Sequence, residues 1–326
     1  MDANLYVHFP FCRSRCSYCT LFSRAGADAE RRREYAKNLA DGISKLDIRA
    51  KTVYFGGGSP GFCDLGPVLD ALGGKLADDC EFTVELHPLD VCGSLLETLR
   101  SGGVNRISMG VQSLDDGILA HMKRGYGFYA AERAFAAVKN VFDNAGIDLI
   151  AGYPGETAAL SPRHARLAKW GLRHCSVYAL QNERALAGAA DDATVMDRIA
   201  VISRFLGELG LERYEISNYA VPGFECRHNL AVWRGEDYIG LGEGACGRIG
   251  RTRTPSGETV SEEKDRKERT IFRLRTREGL DSSGFPEWTA ILGRFEREGL
   301  LSRDGAVWRL TERGTEVCDS ILAELV

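Results

Sequence analysis

Leu5-Tyr6-Val7-His8-Phe9-Pro10-Phe11-Cys12-Arg13-Ser14-Arg15-Cys16-Ser17-Tyr18-Cys19 joins a strand-forming run to a loop that carries three cysteines. Leu5 to Phe9 has strand composition, and Pro10, Arg13, Ser14, Arg15 and Ser17 describe an exposed loop. A structural zinc site closes with four protein ligands, and an ordinary iron-sulfur cluster is held by four thiolates. Three cysteines leave one metal position open for chemistry. The alternatives are a zinc loop with His8 as fourth ligand, or three unligated core cysteines.

Outward from this loop, strand-like runs alternate with amphipathic stretches. Leu5 to Phe9, Thr52 to Phe55, Phe82 to Leu86, Asn105 to Met109, Ile147 to Ile150 and Ser176 to Leu180 read as strands. Arg33 to Lys45, Leu95 to Ser101, Ala130 to Val141 and Ala159 to Trp170 read as helices between them. Six such repeats predict an α/β fold with a parallel sheet, either doubly wound or rolled into a barrel. In both, the carboxyl ends of strands build the site. That places Cys12 to Cys19, Gly56 to Pro60, Glu85, Gln112 and Asp148 on one rim. Gly56-Gly57-Gly58-Ser59-Pro60 directly follows the second strand, and serves either close approach of a ligand or a tight strand-to-helix turn. Glu85 and Asp148 could equally be strand-end caps, and Gln112 and Arg124 helix-surface residues.

The segment from Asp192 to Gly250 combines a helix with glycine-rich loops. From about Ser261 the pattern changes to a helix, a second helix over Ile291 to Gly299, a hairpin over Leu301 to Leu310 with an Asp-Gly turn, and a closing helix from Thr311 to Leu325. Helices followed by a two-stranded wing suggest a winged-helix module. Residues 261–326 hold 12 lysines and arginines against 14 aspartates and glutamates, a net of −2. That balance disfavours phosphate binding, so no nucleic-acid partner is expected.

The 326 residues carry a net charge of −4 with 27% charged side chains, an ordinary globular composition. The first eleven residues lack the basic and apolar regions of a secretion signal, and no apolar run reaches the ~18 residues of a membrane span. A cytoplasmic protein without a transmembrane segment is expected. Thiols there stay reduced, so the cysteine cluster reads as metal-binding. Cys63, Cys80, Cys92, Cys175, Cys226, Cys246 and Cys318 are expected to be small buried residues.

Several motifs taken together resemble the radical S-adenosylmethionine (SAM) superfamily, in the branch of oxygen-independent coproporphyrinogen oxidases and HemW-type heme chaperones. The resemblance is carried by Tyr6 to Cys19, Tyr54-Phe-Gly-Gly-Gly-Ser-Pro60, Gly103-Val-Asn-Arg-Ile-Ser-Met-Gly-Val-Gln-Ser-Leu114, Asp148-Leu-Ile-Ala-Gly-Tyr-Pro-Gly155 and Tyr214-Glu-Ile-Ser-Asn-Tyr-Ala220, in that order. It implies a partial (β/α)6 TIM-type barrel over 1–190, a barrel-closing extension over 191–260 and a winged-helix-like α+β domain over 261–326. It further implies a [4Fe-4S] cluster on Cys12, Cys16 and Cys19, whose open iron is chelated by the amino and carboxylate groups of SAM. Tyr6, Gly57, Gly58, Ser59, Glu85, Gln112, Arg124 and Asp148 match positions at the SAM site. An electron donor such as a flavodoxin or ferredoxin is implied with them.

The oxidases in this branch carry a longer N-terminal arm and a further cysteine at the position of Leu21. Here eleven residues precede Cys12, which favours the chaperone side, with heme or a porphyrin as ligand and a heme-accepting protein as partner. Gly223 to Gly235 is similar to the chaperones' His-Asn-x-x-Tyr-Trp segment, which implies His228 as a heme ligand. A lone histidine is also commonly a hydrogen-bonded structural residue. Val232 replaces the tyrosine of that segment, and Glu243 and Cys246 replace the proline and histidine of a Gly-Pro-Gly-Ala-His run. A radical enzyme acting on coproporphyrinogen or another porphyrin-like substrate is the alternative function.

Overall fold

A computed structural model describes residues 1–157, 159–181 and 186–325. Six parallel strands pair in sequence order: β1 (Asp2–Phe9), β2 (Arg49–Gly57), β3 (Leu76–Leu86), β4 (Arg106–Gln112), β5 (Asn144–Ala151) and β6 (His174–Ala179). Helices α1 (Ala29–Ser44), α2 (Gly66–Leu72), α3 (Gly93–Ser101), α4 (Asp116–His121), α5 (Phe128–Lys139) and α6 (Pro162–Leu167) occupy the crossovers. The helix expected over Ala159 to Trp170 is shorter. Ser161 and His164 form a capping box and Pro162 sits in the first turn, which starts the helix there because proline lacks the N–H that a helix interior requires.

Strand alternation assigns the two faces of the sheet. Leu5, Val7, Phe9, Val53, Phe55, Phe82, Val84, Ile107, Met109, Ile147 and Val177 are buried in one apolar core with the crossover helices. The residues between them are mostly polar: Asn4, Tyr6, His8, Thr52, Tyr54, Glu81, Thr83, Glu85, Arg106, Ser108, Asp148, His174 and Ser176. The pairings Thr52 with Glu81, Thr83 with Arg106, Ser108 with Gly146 and Asp148 with Ser176 keep these on one face. A parallel sheet normally carries apolar residues on both faces. Here the face away from the helices is a polar interior.

The segment after β6 extends both edges of this sheet. On the β6 side run β7 (Glu212–Arg213) and β8 (Asn218–Ala220), both antiparallel. On the β1 side β9 (Tyr238–Leu241) is parallel to β1, followed by antiparallel β10 (Gly247–Ile249) and β11 (Thr252–Thr254). The eleven-stranded sheet ends at β7 and β11, so the barrel is partial. Between these additions come α7 (Asp192–Glu208) and α8 (Arg227–Trp233). The N-terminus of α8 docks on Glu81, whose carboxylate accepts the Arg227 N–H at 3.0 Å and the His228 N–H at 3.1 Å.

The last third has its own apolar cluster, including Leu274, Trp288, Leu292, Trp308 and Ile321. Around it lie α9 (Glu262–Ile271), α10 (Thr289–Arg297) and a three-stranded antiparallel sheet of β12 (Leu280–Asp281), β13 (Leu301–Asp304) and β14 (Val307–Leu310), with β14 central. Asp304 pairs with Val307, so the hairpin turns on Gly305-Ala306, with Gly305 at φ +61°, and not on Asp-Gly. The closing helix is broken at Val317 into α11 (Glu312–Glu316) and α12 (Cys318–Ala323). Cys92 and Cys246 are exposed, contrary to the expectation that all seven scattered cysteines are buried. Among the described residues no helix is long and apolar enough to cross a membrane.

Candidate functional site

One cavity of about 880 Å³ opens at the carboxyl ends of β1 to β6. Within the usual size of ligand sites, it is lined by Cys12, Cys16 and Cys19 together with Tyr6, Gly57, Gly58, Ser59, Glu85, Gln112, Arg124 and Asp148. Every residue expected at the cluster and SAM sites therefore reaches one space, although they are spread over 143 positions of sequence from 6 to 148. His228 does not line it.

The cysteine loop follows β1 and is held at both ends. Phe11 and Cys12 pair with Arg24 and Ala25 in a short parallel ladder. Arg13 Nε donates to Asp90 Oδ1 at 2.6 Å, and Ser59 Oγ donates to the same carboxylate at 2.5 Å. Asp90, absent from the sequence reading, thus ties the cysteine loop to the glycine loop. The Pro88-Leu89-Asp90 turn after β3 is the signal that could have pointed to it. Burial, and then the neighbouring Cys19 and Cys16, push the Cys12 thiol up to about 11.

The zinc alternative loses its fourth ligand. One ring nitrogen of His8 pairs with the Tyr6 hydroxyl at 3.0 Å and the other with the Phe22 carbonyl at 2.9 Å. Among the described residues no three His, Cys, Asp or Glu side chains are gathered as the shell of a single metal ion. Three loop thiols that each meet a different iron need no such convergence. The loop, its open cavity and the donor set fit an iron-sulfur cluster.

The glycine loop is required sterically. A Cβ on Gly58 would stand 2.8 Å from the Phe11 carbonyl oxygen and 2.9 Å from Cys12 Sγ, and Gly57, at φ +112°, would press 2.7 Å against the His8 ring. The same applies to Gly242 and Gly244, whose Cβ atoms would meet the His8 carbonyl oxygen and the Phe22 ring at 2.6 Å. Glu243 between them forms a 2.7 Å ion pair with Arg24, so the run with the two family departures packs on the cysteine loop.

Three buried groups define the electrostatics. Tyr54 Oη donates to Glu85 Oε1 at 2.8 Å and the Gly57 N–H donates to Oε2 at 3.3 Å. Burial raises the Glu85 carboxyl to about 7, and the Asp148 carboxylate adds to the rise. Asp148 is raised mainly by burial, and it accepts from Ser108 Oγ at 3.1 Å. Two carboxyls enclosed in the polar wall of the cavity suit a cationic or N–H-donating ligand group. Arg124 is 8% exposed and donates to the Gly110 carbonyl at 2.6 Å, to Tyr126 Oη at 3.1 Å and to Cys16 Sγ at 3.3 Å. It is a buried cation of the cavity, not a helix-surface residue. Gln112 ends β4 at φ +69°, beside a register shift, a left-handed backbone conformation that few non-glycine residues adopt.

His228 is 4% exposed, and its Nδ1 lies 2.8 Å from Thr52 Oγ1. Its ring is 5.3 Å from Tyr54 and 6.4 Å from Tyr6 between centroids, which puts it one aromatic layer behind the cavity wall. Burial lowers its pKa to about 4, so the ring is neutral.

The far side of the cavity is built by residues that the sequence reading left without a role: Ile216, Ser217, Arg275 and the segment from Thr315 to Ser320. Leu21, Leu89, Tyr178 and Val317, each more than a third exposed, line it beside exposed polar residues such as Arg15, Gln181 and Glu316.

The radical SAM superfamily pattern matches residues 6–167. The heme chaperone HemW of Mycobacterium tuberculosis is 31% identical over 99% of this chain and 94% of that protein. HemW of Escherichia coli is 29% identical over 98% and 97%, respectively. The structure of coproporphyrinogen III oxidase (HemN) from Escherichia coli, a radical SAM enzyme, superposes with a TM-score of 0.84 at 19% identity, over 99% of this chain and 89% of that one. That likeness establishes the shared partial-barrel fold. With the cysteine loop, the glycine loop and the buried carboxyls meeting in one cavity, and near-complete alignment to HemW, the chain belongs to the HemW family of the radical SAM superfamily.

Proposed function

We propose that this protein is a heme carrier that holds a [4Fe-4S] cluster and SAM beside its heme and passes the heme to an acceptor protein. The observation that carries this reading is the cavity itself. It gathers Cys12, Cys16 and Cys19 with the polar barrel wall, and the same space of about 880 Å³ also presents the exposed apolar side chains of Leu21, Leu89, Tyr178 and Val317 to a flat hydrophobic ligand. Cys12, Cys16 and Cys19 hold the cluster, which supplies a low-potential electron when bound. Gly57 and Gly58 admit SAM to close backbone contact. Glu85 and Asp148 accept hydrogen bonds from its amino group, Arg124 meets its carboxylate, and Tyr6, Ser59 and Gln112 border it. The electron comes from a small reductant such as a flavodoxin or ferredoxin.

Heme ligation by His228 requires the ring to leave Thr52 and Tyr6 to move aside, because as folded it lies behind the wall. Anaerobic reconstitution with iron and sulfide, followed by heme titration and by assay of 5'-deoxyadenosine with coproporphyrinogen III, tests the whole reading. One heme bound per chain without porphyrin turnover is expected, and weaker binding in His228→Ala would place the ligand there. Conversion of coproporphyrinogen to protoporphyrinogen would replace the carrier by an enzyme. Brown cluster absorbance retained in Cys16→Ala would remove the cluster assignment.

A further inference from the structure

The wall of the cavity opposite the cysteine loop contains one cation among the described residues, Arg275. Its Nη1 donates to Asp319 Oδ1 at 2.5 Å; the arginine side chain is 20% exposed and the aspartate 86%. The guanidinium lies over the Trp233 ring, 4.7 Å from its centroid, and Nε is buried without an acceptor. Arg275 therefore rests on an aromatic plate, keeps one N–H unpaired, opposes the upward shift of the buried Glu215 carboxyl, and has an ion-pair partner that is almost entirely in water. Such exposed pairs contribute little. An arginine fork shielded from solvent by a bound ligand holds a carboxylate much more firmly.

The cavity that Arg275 lines also presents the exposed apolar side chains of Leu21, Leu89, Tyr178 and Val317, among polar ones such as Glu316 and Ser320. A ligand matched to the wall has a broad apolar body with an acid at its edge. We propose that Arg275 is the carboxylate anchor of this cavity: it takes a propionate of the bound tetrapyrrole, Asp319 holds the guanidinium until the ligand arrives, and Trp233 is its positioning residue. The proposal rests on the heme-carrier reading and gives the segment that begins at His228 a second role. Its first residues plug the barrel on Glu81, and its last, Trp233, seats the anchor.

The test is a titration of the full-length reconstituted protein with ferric heme and with heme dimethyl ester, in which both propionates are masked, followed by Soret absorbance. The native protein should bind heme about tenfold or more tightly than the ester, a 1.4 kcal/mol preference per decade. Arg275→Gln should bind the two alike, and Arg275→Lys should keep part of the preference. Asp319→Asn should tighten heme several-fold and leave the ester unchanged, an effect that does not depend on how Arg275→Gln folds. Trp233→Phe should keep the preference and Trp233→Leu reduce it. Equal binding of acid and ester by the native protein, or an undiminished preference in Arg275→Gln, overturns the anchor while the heme-carrier reading stands. Failure of the native protein to bind either compound overturns that reading and the anchor with it.

Discussion

At the scale of single residues, the barrel interior keeps its acids under tension. The Glu85 carboxyl moves from 4.5 to about 7 because it is buried beside Asp148. The folded protein therefore binds a proton that the unfolded chain releases between those values, and stability from this group falls as pH rises through the window. Over the full shift this amounts to roughly 3 kcal/mol. Glu85→Gln should accordingly raise the melting temperature of the ligand-free protein at pH 8, by about 1–3 kcal/mol of stability, while weakening SAM at least tenfold. In the native protein SAM should bind more tightly as pH rises through about 7, because its amino N–H groups need the ionised carboxylate as acceptor. Calorimetry at pH 6 and pH 8 measures both. A flat profile, or SAM binding intact in Glu85→Gln, removes Glu85 from the SAM site. The glycines teach the complementary lesson: Gly57 and Gly58 were open to two readings as sequence, and the 2.7 to 2.9 Å contacts a Cβ would make show that here the loop must also admit the cysteine segment.

Among the secondary elements, α8 shows that recognising a motif in the chain does not say where the fold will pack it. Its seven residues, Arg227–Trp233, are short for a helix that relies on its own propensity. It is kept in place by Glu81, which accepts its first two N–H groups, by His228 against Thr52 and by the Cys226 N–H donating to Tyr214 Oη at 3.1 Å. Glu81→Ala orphans two backbone donors at a buried helix start, and each such loss costs about 1–3 kcal/mol. The expected result is a drop of that order in chemical denaturation, with hydrogen-exchange protection lost first over residues 227–233. Uniform loss of protection across the molecule would instead show that α8 does not open by itself. The strands were easier to read than this helix, since each of the six predicted runs falls on an observed parallel strand. Their alternation of apolar and polar residues is written in the chain, whereas the partner of a helix terminus 146 residues away, as Glu81 is to Arg227, is not.

For the molecule as a whole, the cavity is the product of two parts of the chain. The cysteine loop comes from the first 20 residues and the facing wall from Thr315 to Ser320. A heme spanning the cavity should protect both from hydrogen exchange in the same titration, although they are separated by about 300 residues; protection confined to either one would show that the ligand does not bridge them. The sequence by itself determined the α/β class and the six parallel strands, because strand periodicity is a local property, while cysteine spacing and a glycine run marked a metal loop whose cluster rests on the family resemblance. It also supplied the list of polar residues that meet at the strand ends, since parallel topology sends those ends to one rim. Only the tertiary structure decided that His228 lies behind Tyr6 and Tyr54, that Asp90 ties the two loops, and that Arg275 faces the cavity over Trp233. Those are long-range packing facts: burial and partner choice depend on which surfaces the closed fold brings together, and no local pattern encodes that.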